Sequence, residues 1–186
     1  APTAISARTN CIHNTSATQQ VITQGSNKAI INWQGFSIGQ GNSVQFVQPG
    51  ASSVVLNRVV GHDPSAIFGS LSANGQVFLV NPQGIYFSPS ASLNVAGLIA
   101  STLNIRDDDF LAGRYSFTRD PNSPATASVI NEGLIRAREG GYVVLAGDYV
   151  ANRGIVEARL GTVALAAGSK VTLDLQGDSL INLAIH

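Results

Sequence analysis

Charge is what this 186-residue chain has least of. Asp, Glu, Lys and Arg together make up 12% of the residues, about half the usual share of a soluble domain. Basic and acidic residues number 11 each, the formal net charge is zero, and lysine occurs only at Lys28 and Lys170. Arg136, Arg138, Arg153 and Arg159 are separated by apolar or small residues. The clustered cations that phosphate recognition requires are missing, which argues against a nucleic-acid partner. No apolar run reaches the roughly 18 residues of a membrane span, so no stable membrane insertion is expected. Methionine is absent, and the single cysteine, Cys11, permits neither an intramolecular disulfide nor a cysteine-based zinc site. The opening Ala1-Pro2-Thr3 shows no charged-then-apolar leader, as expected of a mature N-terminus after signal-peptide removal or of a cloning boundary.

What the chain has is glycine, 19 residues of it, with abundant Val, Ser, Thr and Asn and 44% hydrophobic residues. That mixture favours short strands and tight turns over helices. It is also repetitive. Asn131-Glu132-Gly133-Leu134-Ile135-Arg136-Ala137 recurs as Asn152-Arg153-Gly154-Ile155-Val156-Glu157-Ala158. Gly141-Tyr142-Val143-Val144-Leu145-Ala146 recurs at nearly the same offset as Gly161-Thr162-Val163-Ala164-Leu165-Ala166, and Gly75-Gln76-Val77-Phe78-Leu79-Val80 has the same form. A period of about 20 residues with strand chemistry predicts a solenoid whose stacked apolar positions form one continuous core. Val143 and Leu145, and equally Val163 and Leu165, are expected on one side. Asn131 over Asn152 predicts an amide ladder, and the corner glycines predict unusual backbone angles. Leucine-rich and helical repeats are excluded, the first by its missing Leu-x-x-Leu-x-Leu framework and the second by composition. The prediction is an all-β chain, a right-handed parallel β-helix of short, regular coils forming a single domain.

The first 50 residues lack the clear period and are predicted to form an N-terminal β cap, with coils over 51–186. The run Asp107-Asp108-Asp109 and the Pro-, Asn- and Ser-rich segment after it predict an extra-helical insertion near 106–127, a hairpin laid on the flank. Val171-Thr172-Leu173-Asp174-Leu175 and Ser179-Leu180-Ile181-Asn182-Leu183 are expected to continue the coils, so the chain looks cut from a longer solenoid.

Catalytic constellations do not emerge. His13, His62 and His186 are scattered without ligand spacing, and Asp107–Asp109 lack the glycine-interrupted loop of a calcium site, leaving a solvated acidic turn. Gly39-Gln40-Gly41 precedes no helix that would receive a phosphate. Trp33 and Phe36 are expected to pack under the cap. Polysaccharide lyases share the β-helix but line one sheet with acids, Arg and Lys, which these strands do not. No enzyme activity, metal or cofactor is expected.

One ordered set of segments is distinctive. It runs Ile30-Ile31-Asn32-Trp33-Gln34-Gly35-Phe36-Ser37-Ile38-Gly39, Val44-Gln45-Phe46-Val47-Gln48-Pro49, Val55-Leu56-Asn57-Arg58-Val59 and Ile67-Phe68-Gly69-Ser70-Leu71. It ends with Asn74-Gly75-Gln76-Val77-Phe78-Leu79-Val80-Asn81-Pro82-Gln83-Gly84-Ile85 and Leu98-Ile99-Ala100-Ser101-Thr102. The set resembles the two-partner secretion (TPS) domain of filamentous-haemagglutinin-type exoproteins. The resemblance implies the N-terminal part of a much longer surface or secreted exoprotein of a Gram-negative bacterium. It also implies passage through the periplasm, where the POTRA domains of a cognate outer-membrane β-barrel transporter recognise a monomeric domain that later nucleates β-helix folding. The family's Asn-Pro-Asn-Gly-Ile hallmark stands here as Asn81-Pro82-Gln83-Gly84-Ile85, and its Asn-Pro-Asn-Leu motif is absent, as in the high-molecular-weight adhesin and haemopexin-binding branch. Asn57, Arg58 and Asn81 are candidate recognition residues. Independently of the family, Asn, Pro and Gly at these places predict a type I turn with Gln83 right-handed. The alternative is an adhesive β-helix that binds a host glycan or receptor directly.

Overall fold

The computed structural model describes the backbone of residues 2–8, 11–175 and 182–185, with the side chains of Pro2 and residues 16–175. The side chains of Cys11 and His13, all of His186, and the expected strand residues Ser179–Ile181 lie outside the described residues. The chain opens with β1 (Thr3–Arg8) and β2 (Cys11–Thr15), then β3 (Gln19–Gln24) and β4 (Lys28–Gly35). Next come β5 (Ser43–Val47), β6 (Val54–Val59) and β7 (Ser65–Ile67), then β8 (Ser70–Ala73), β9 (Gln76–Val80) and β10 (Ile85–Phe87). The long β11 (Ser92–Ser101) is followed by α1 (Asp107–Leu111) and β12 (Tyr115–Thr118) before β13 (Ser128–Asn131) resumes the coil. After β14 (Leu134–Gly147), β15 (Tyr149–Asn152), β16 (Ile155–Ala158) and β17 (Thr162–Ala167) come β18 (Lys170–Asp174) and β19 (Asn182–Ile185).

These strands stack as a parallel β-solenoid with three ladders. The first passes through β3, β5, β8, the leading half of β11, the leading half of β14, and β16. The second passes through β4, β6, β9, the trailing halves of β11 and β14, and β17. The third comprises β7, β10, β13 and β15, reached from the coil before by one parallel bridge between Ile38 and Ile67. Parallel pairing thus begins at Gln19, well inside the stretch expected to form a cap to residue 50; antiparallel capping comes from β1 on β4 and β2 on β3. The early coils escaped the period because they are longer. The steps from Val44 to its partner Leu71 and from Ala29 to Val55 each exceed those from Leu71 to Leu93 and from Ile135 to Val156 by several residues.

Each ladder's sequence pattern follows from what covers it. In the first, Val44, Phe46, Leu71, Leu93 and Ile135 are buried inward while Gln45, Asn94 and Arg136 point outward, the alternation of a sheet with one wet face. The second reads as unbroken apolar runs because both faces are dry. Its inward residues Ile31, Val55, Val77, Leu98 and Val143 join the solenoid core. Its outward residues Ile30, Leu56, Phe78, Ile99 and Val144 form a second core with Leu103, Ile105, Phe110, Tyr115 and Phe117 of the 102–127 excursion, and with Val171 and Leu173 of β18. The excursion lies on the flank as a helix and a strand rather than a hairpin. β12 pairs antiparallel with β18, which pairs antiparallel with β19. Val171–Asp174 therefore leaves the stack instead of continuing it, because alternate residues Val171 and Leu173 are needed over the flank. Asp107–Asp109, expected as a solvated turn, form the first turn of α1, with Asp107 and Asp109 ion-paired to Arg58 and Arg114.

The repeat glycines serve a purpose other than the one expected. Gly133 and Gly154 are not among the residues of positive φ. A Cβ on Gly154 would lie 2.2 Å from the Gly133 carbonyl oxygen, so glycine is present because successive coils approach backbone to backbone. Beside them the amide ladder forms as expected, with Asn131 Nδ2 donating to Asn152 Oδ1 at 2.8 Å. Val163 and Leu165 continue the inward columns of Val143 and Leu145, yet are 47% and 48% exposed; among the described residues no coil is seated on them.

Phe78 meets the rings of Phe110, Tyr115 and Phe117 at centroid distances of 5.6, 5.1 and 6.2 Å. Phe78→Ala is expected to cost about 3–5 kcal/mol, measured as a lowered urea midpoint. Gln45→Ala, on the wet face of the first ladder, is expected to change stability by about 0.5 kcal/mol or less.

Candidate functional site

The segment Asn81–Ile85 is the corner between the second and third ladders. The Gly84 amide donates to the Asn81 carbonyl at 3.1 Å, closing a four-residue turn. Gly84 has φ +128°, a region that disfavours side chains, whereas Gln83 is not among the positive-φ residues. Asn81 is fully buried and its amide is occupied inside the fold. Its Oδ1 accepts from the Gln83 backbone at 2.9 Å, and its Nδ2 donates to Ser65 Oγ and the Asp63 carbonyl, each at 3.0 Å. Its backbone N–H donates to the Ser101 carbonyl at 3.0 Å. One asparagine therefore ties its own turn to the coils on either side. Ile85 is buried in the core, and of the five residues only Pro82 and Gln83 are half exposed.

Asn57 and Arg58 are neighbours on β6 and point in opposite directions. Asn57 faces the interior, 0% exposed, accepting from Trp33 Nε1 at 2.9 Å and donating to the Phe78 carbonyl at 3.3 Å. It satisfies the only indole N–H in the core. Trp33 itself is fully buried with Phe36 edge-on at 5.2 Å. Arg58 faces the flank and grips the excursion. Its Nε donates to Asn104 Oδ1 at 3.0 Å, one terminal nitrogen to Asp107 Oδ1 at 2.6 Å and to Asn32 Oδ1 at 3.4 Å, and the other to the Ile105 carbonyl. A guanidinium with this many acceptors is a structural clamp.

Pro82, Gln83 and Arg58 line one groove. A cavity of about 560 Å³ lies between Pro82 and Gln83 on one side and Asn104, Asp120 and Asn122 on the other, with Arg58 and His62 also on its wall. A second, of about 820 Å³, shares Arg58, Asn104 and Asp120 and continues past α1. The structure thus brings the accessible part of the corner and Arg58 together, and leaves Asn57 and Asn81 beneath the surface. Asn104 and Asp107, which complete the arrangement, were missed from the sequence. Their separation from Arg58 by 46 and 49 residues obeys no repeat. Among the described residues no three His, Cys, Asp or Glu side chains are placed to hold a metal ion. The arrangement offers a surface for recognition: amides, a proline edge and paired charges.

The model of the TPS secretion domain matches residues 2–184. The chain belongs to the TPS secretion domain family. The HMW1 secretion domain of Haemophilus influenzae superposes on it with a TM-score of 0.87 at 34% identity, covering 98% of this chain and 48% of that one. A heme/hemopexin-binding protein of Haemophilus influenzae strain Rd is 39% identical over 179 residues, 93% of this chain and 19% of that protein. Another Haemophilus influenzae heme/hemopexin-binding protein is 42% identical over 123 residues, 66% of this chain and 13% of its own length. The chain thus spans less than a fifth of the curated relatives it matches. TPS domains serve the export of exoproteins and engage an outer-membrane transporter; the family is not an enzyme family. No helix among the described residues is long and apolar enough to cross a membrane.

For this TPS domain, Asn57→Leu is expected to remove the buried hydrogen bonds to Trp33 Nε1 and the Phe78 carbonyl and cost about 1–3 kcal/mol, with a shifted tryptophan emission as the readout. Gly84→Ala is expected to destabilise by about 1 kcal/mol or more through its positive φ, measured by thermal unfolding.

Proposed function

We propose that this domain directs the export of a longer exoprotein through a cognate outer-membrane β-barrel transporter, whose periplasmic POTRA domains bind it as a monomer. The family match along nearly the whole chain carries this reading. The exported protein reaches the cell surface or medium of a Gram-negative bacterium, and the domain nucleates folding of the coils that follow. Exposed Val163 and Leu165, in line with the buried Val143 and Leu145, support that last step, since another coil laid on them would extend the same core.

Within the Asn81–Ile85 motif we assign two roles. Asn81, Gly84 and Ile85 shape the corner, and Pro82 with Gln83 offers the transporter an accessible edge beside Arg58. Asn57 and Asn81 contact a transporter only while the coils are unstacked. A second reading, direct adhesion, is favoured by one observation: Phe68, 40% exposed, stands edge-on to Tyr86 at 6.1 Å on the outer face of the third ladder. An aromatic pair on an open sheet face is the kind of surface on which a sugar stacks.

The test is secretion of the domain, with a signal peptide in front, from cells with and without the cognate transporter. Transporter-dependent release is expected; retention in the periplasm beside a functional transporter would overturn the reading. Asn81→Ala is expected to lower both unfolding midpoint and release, whereas Gln83→Ala is expected to keep the midpoint and lower release alone. A glycan array is expected to show no hits, and a hit lost in Tyr86→Ala would favour adhesion.

A further inference from the structure

The covering of the second ladder is built differently from the solenoid it covers. Most coil-to-coil pairs join residues one turn of the solenoid apart in the chain, each coil resting on the one before. The cover joins Phe117 to Val171, with β13 to β17 lying between them in the chain. It also reaches back across far longer intervals. Lys28 Nζ donates to the Phe110 and Leu111 carbonyls at the end of α1, 82 and 83 residues away, at 3.2 and 3.0 Å. Arg58 holds Asn104, Ile105 and Asp107, and Arg119 pairs with Asp148 at 2.7 Å. None of these pairs can form until the coils bearing Lys28, Arg58 and Asp148 are stacked. The chain leaves the stack beyond Ser101 and returns through a loop with Pro121 and Pro124. Both crossings leave the coils' own backbone ladders intact.

We propose that α1, β12, β18 and β19 form a hinged cover that closes over the finished solenoid as a separate unit, latched at its rim by Arg58 and Lys28. Closure entropy grows with the length of chain to be spanned, so the local coils form before the long-range cover. The apolar undersurface gives the cover its grip. The rim supplies polar partners that match in the closed position, where Arg58 meets Asn104, Asp107 and the Ile105 carbonyl. With the cover open, Ile30, Leu56, Phe78, Ile99 and Val144 face water along one side of the solenoid. This is a property of the domain alone and does not rest on the export reading.

Native-state hydrogen exchange on the full domain under low denaturant tests it. Amides of Tyr115–Thr118 and Lys170–Asp174 are expected to open at lower denaturant than those of Val77–Val80 and Leu98–Ser101. A common denaturant dependence for both sets would overturn the proposal. Arg58→Met is expected to speed exchange of the cover amides about tenfold or more while leaving the ladder amides unchanged; equal acceleration of both sets, or of neither, would count against a latch. Lys28→Met provides the same comparison should Arg58→Met fold poorly.

Discussion

A sheet with two apolar faces must be covered on both, and the second ladder is such a sheet. Its inward side chains make the solenoid core with those of the other ladders. Its outward side chains, led by Phe78 with three aromatic neighbours, cannot be left to water. At about 25 cal/mol per Å² of apolar surface, exposing this strip would offset much of what stacking gains. The excursion after β11, the departure of β18 from the stack and the clamp at Arg58 all answer that one requirement. The other ladders impose no such demand. The first is polar outside, and the third is open, with Phe68 and Tyr86 partly in solvent.

The same division organises the surface around the Asn81–Ile85 corner. Residues in the family's motif divide between those that hold coils together and those that reach solvent, and the former predominate. Asn81 commits every polar atom of its side chain to its own and neighbouring coils, and Asn57 is engaged by Trp33 and Phe78. A substitution at either position removes hydrogen bonds that hold the coils together. Pro82 and Gln83 remain as the accessible edge, and they face the excursion across a groove whose wall includes Arg58. Cover, corner and clamp therefore meet in one region. A folded domain presents that groove only when the cover is closed.

Backbone crowding explains why the coils repeat as they do. The glycines of the Asn-x-Gly units sit where one coil's carbonyl presses on the next, and the asparagines beside them pass hydrogen bonds up the stack. The short coils keep this spacing. The early coils lengthen between strands, which hid their membership of the solenoid although their parallel register is the same.

What the sequence determined by itself was local and repetitive: strand chemistry, the coil period, the Asn131–Asn152 ladder and the Asn81–Gly84 turn. Each depends on residues close in the chain or one coil apart, where side-chain type dictates geometry. The runs Val77–Val80 and Val143–Ala146 are buried on both faces, and nothing near them in the chain names what covers them. The tertiary structure alone decided that. The cover joins residues as far as 83 positions apart through contacts such as Arg58 to Asp107 and Lys28 to Leu111, and long-range pairings of single charges leave no periodic trace. For the same reason only the fold could show that adjacent Asn57 and Arg58 serve opposite faces: one is sealed in the core, while the other holds the flank.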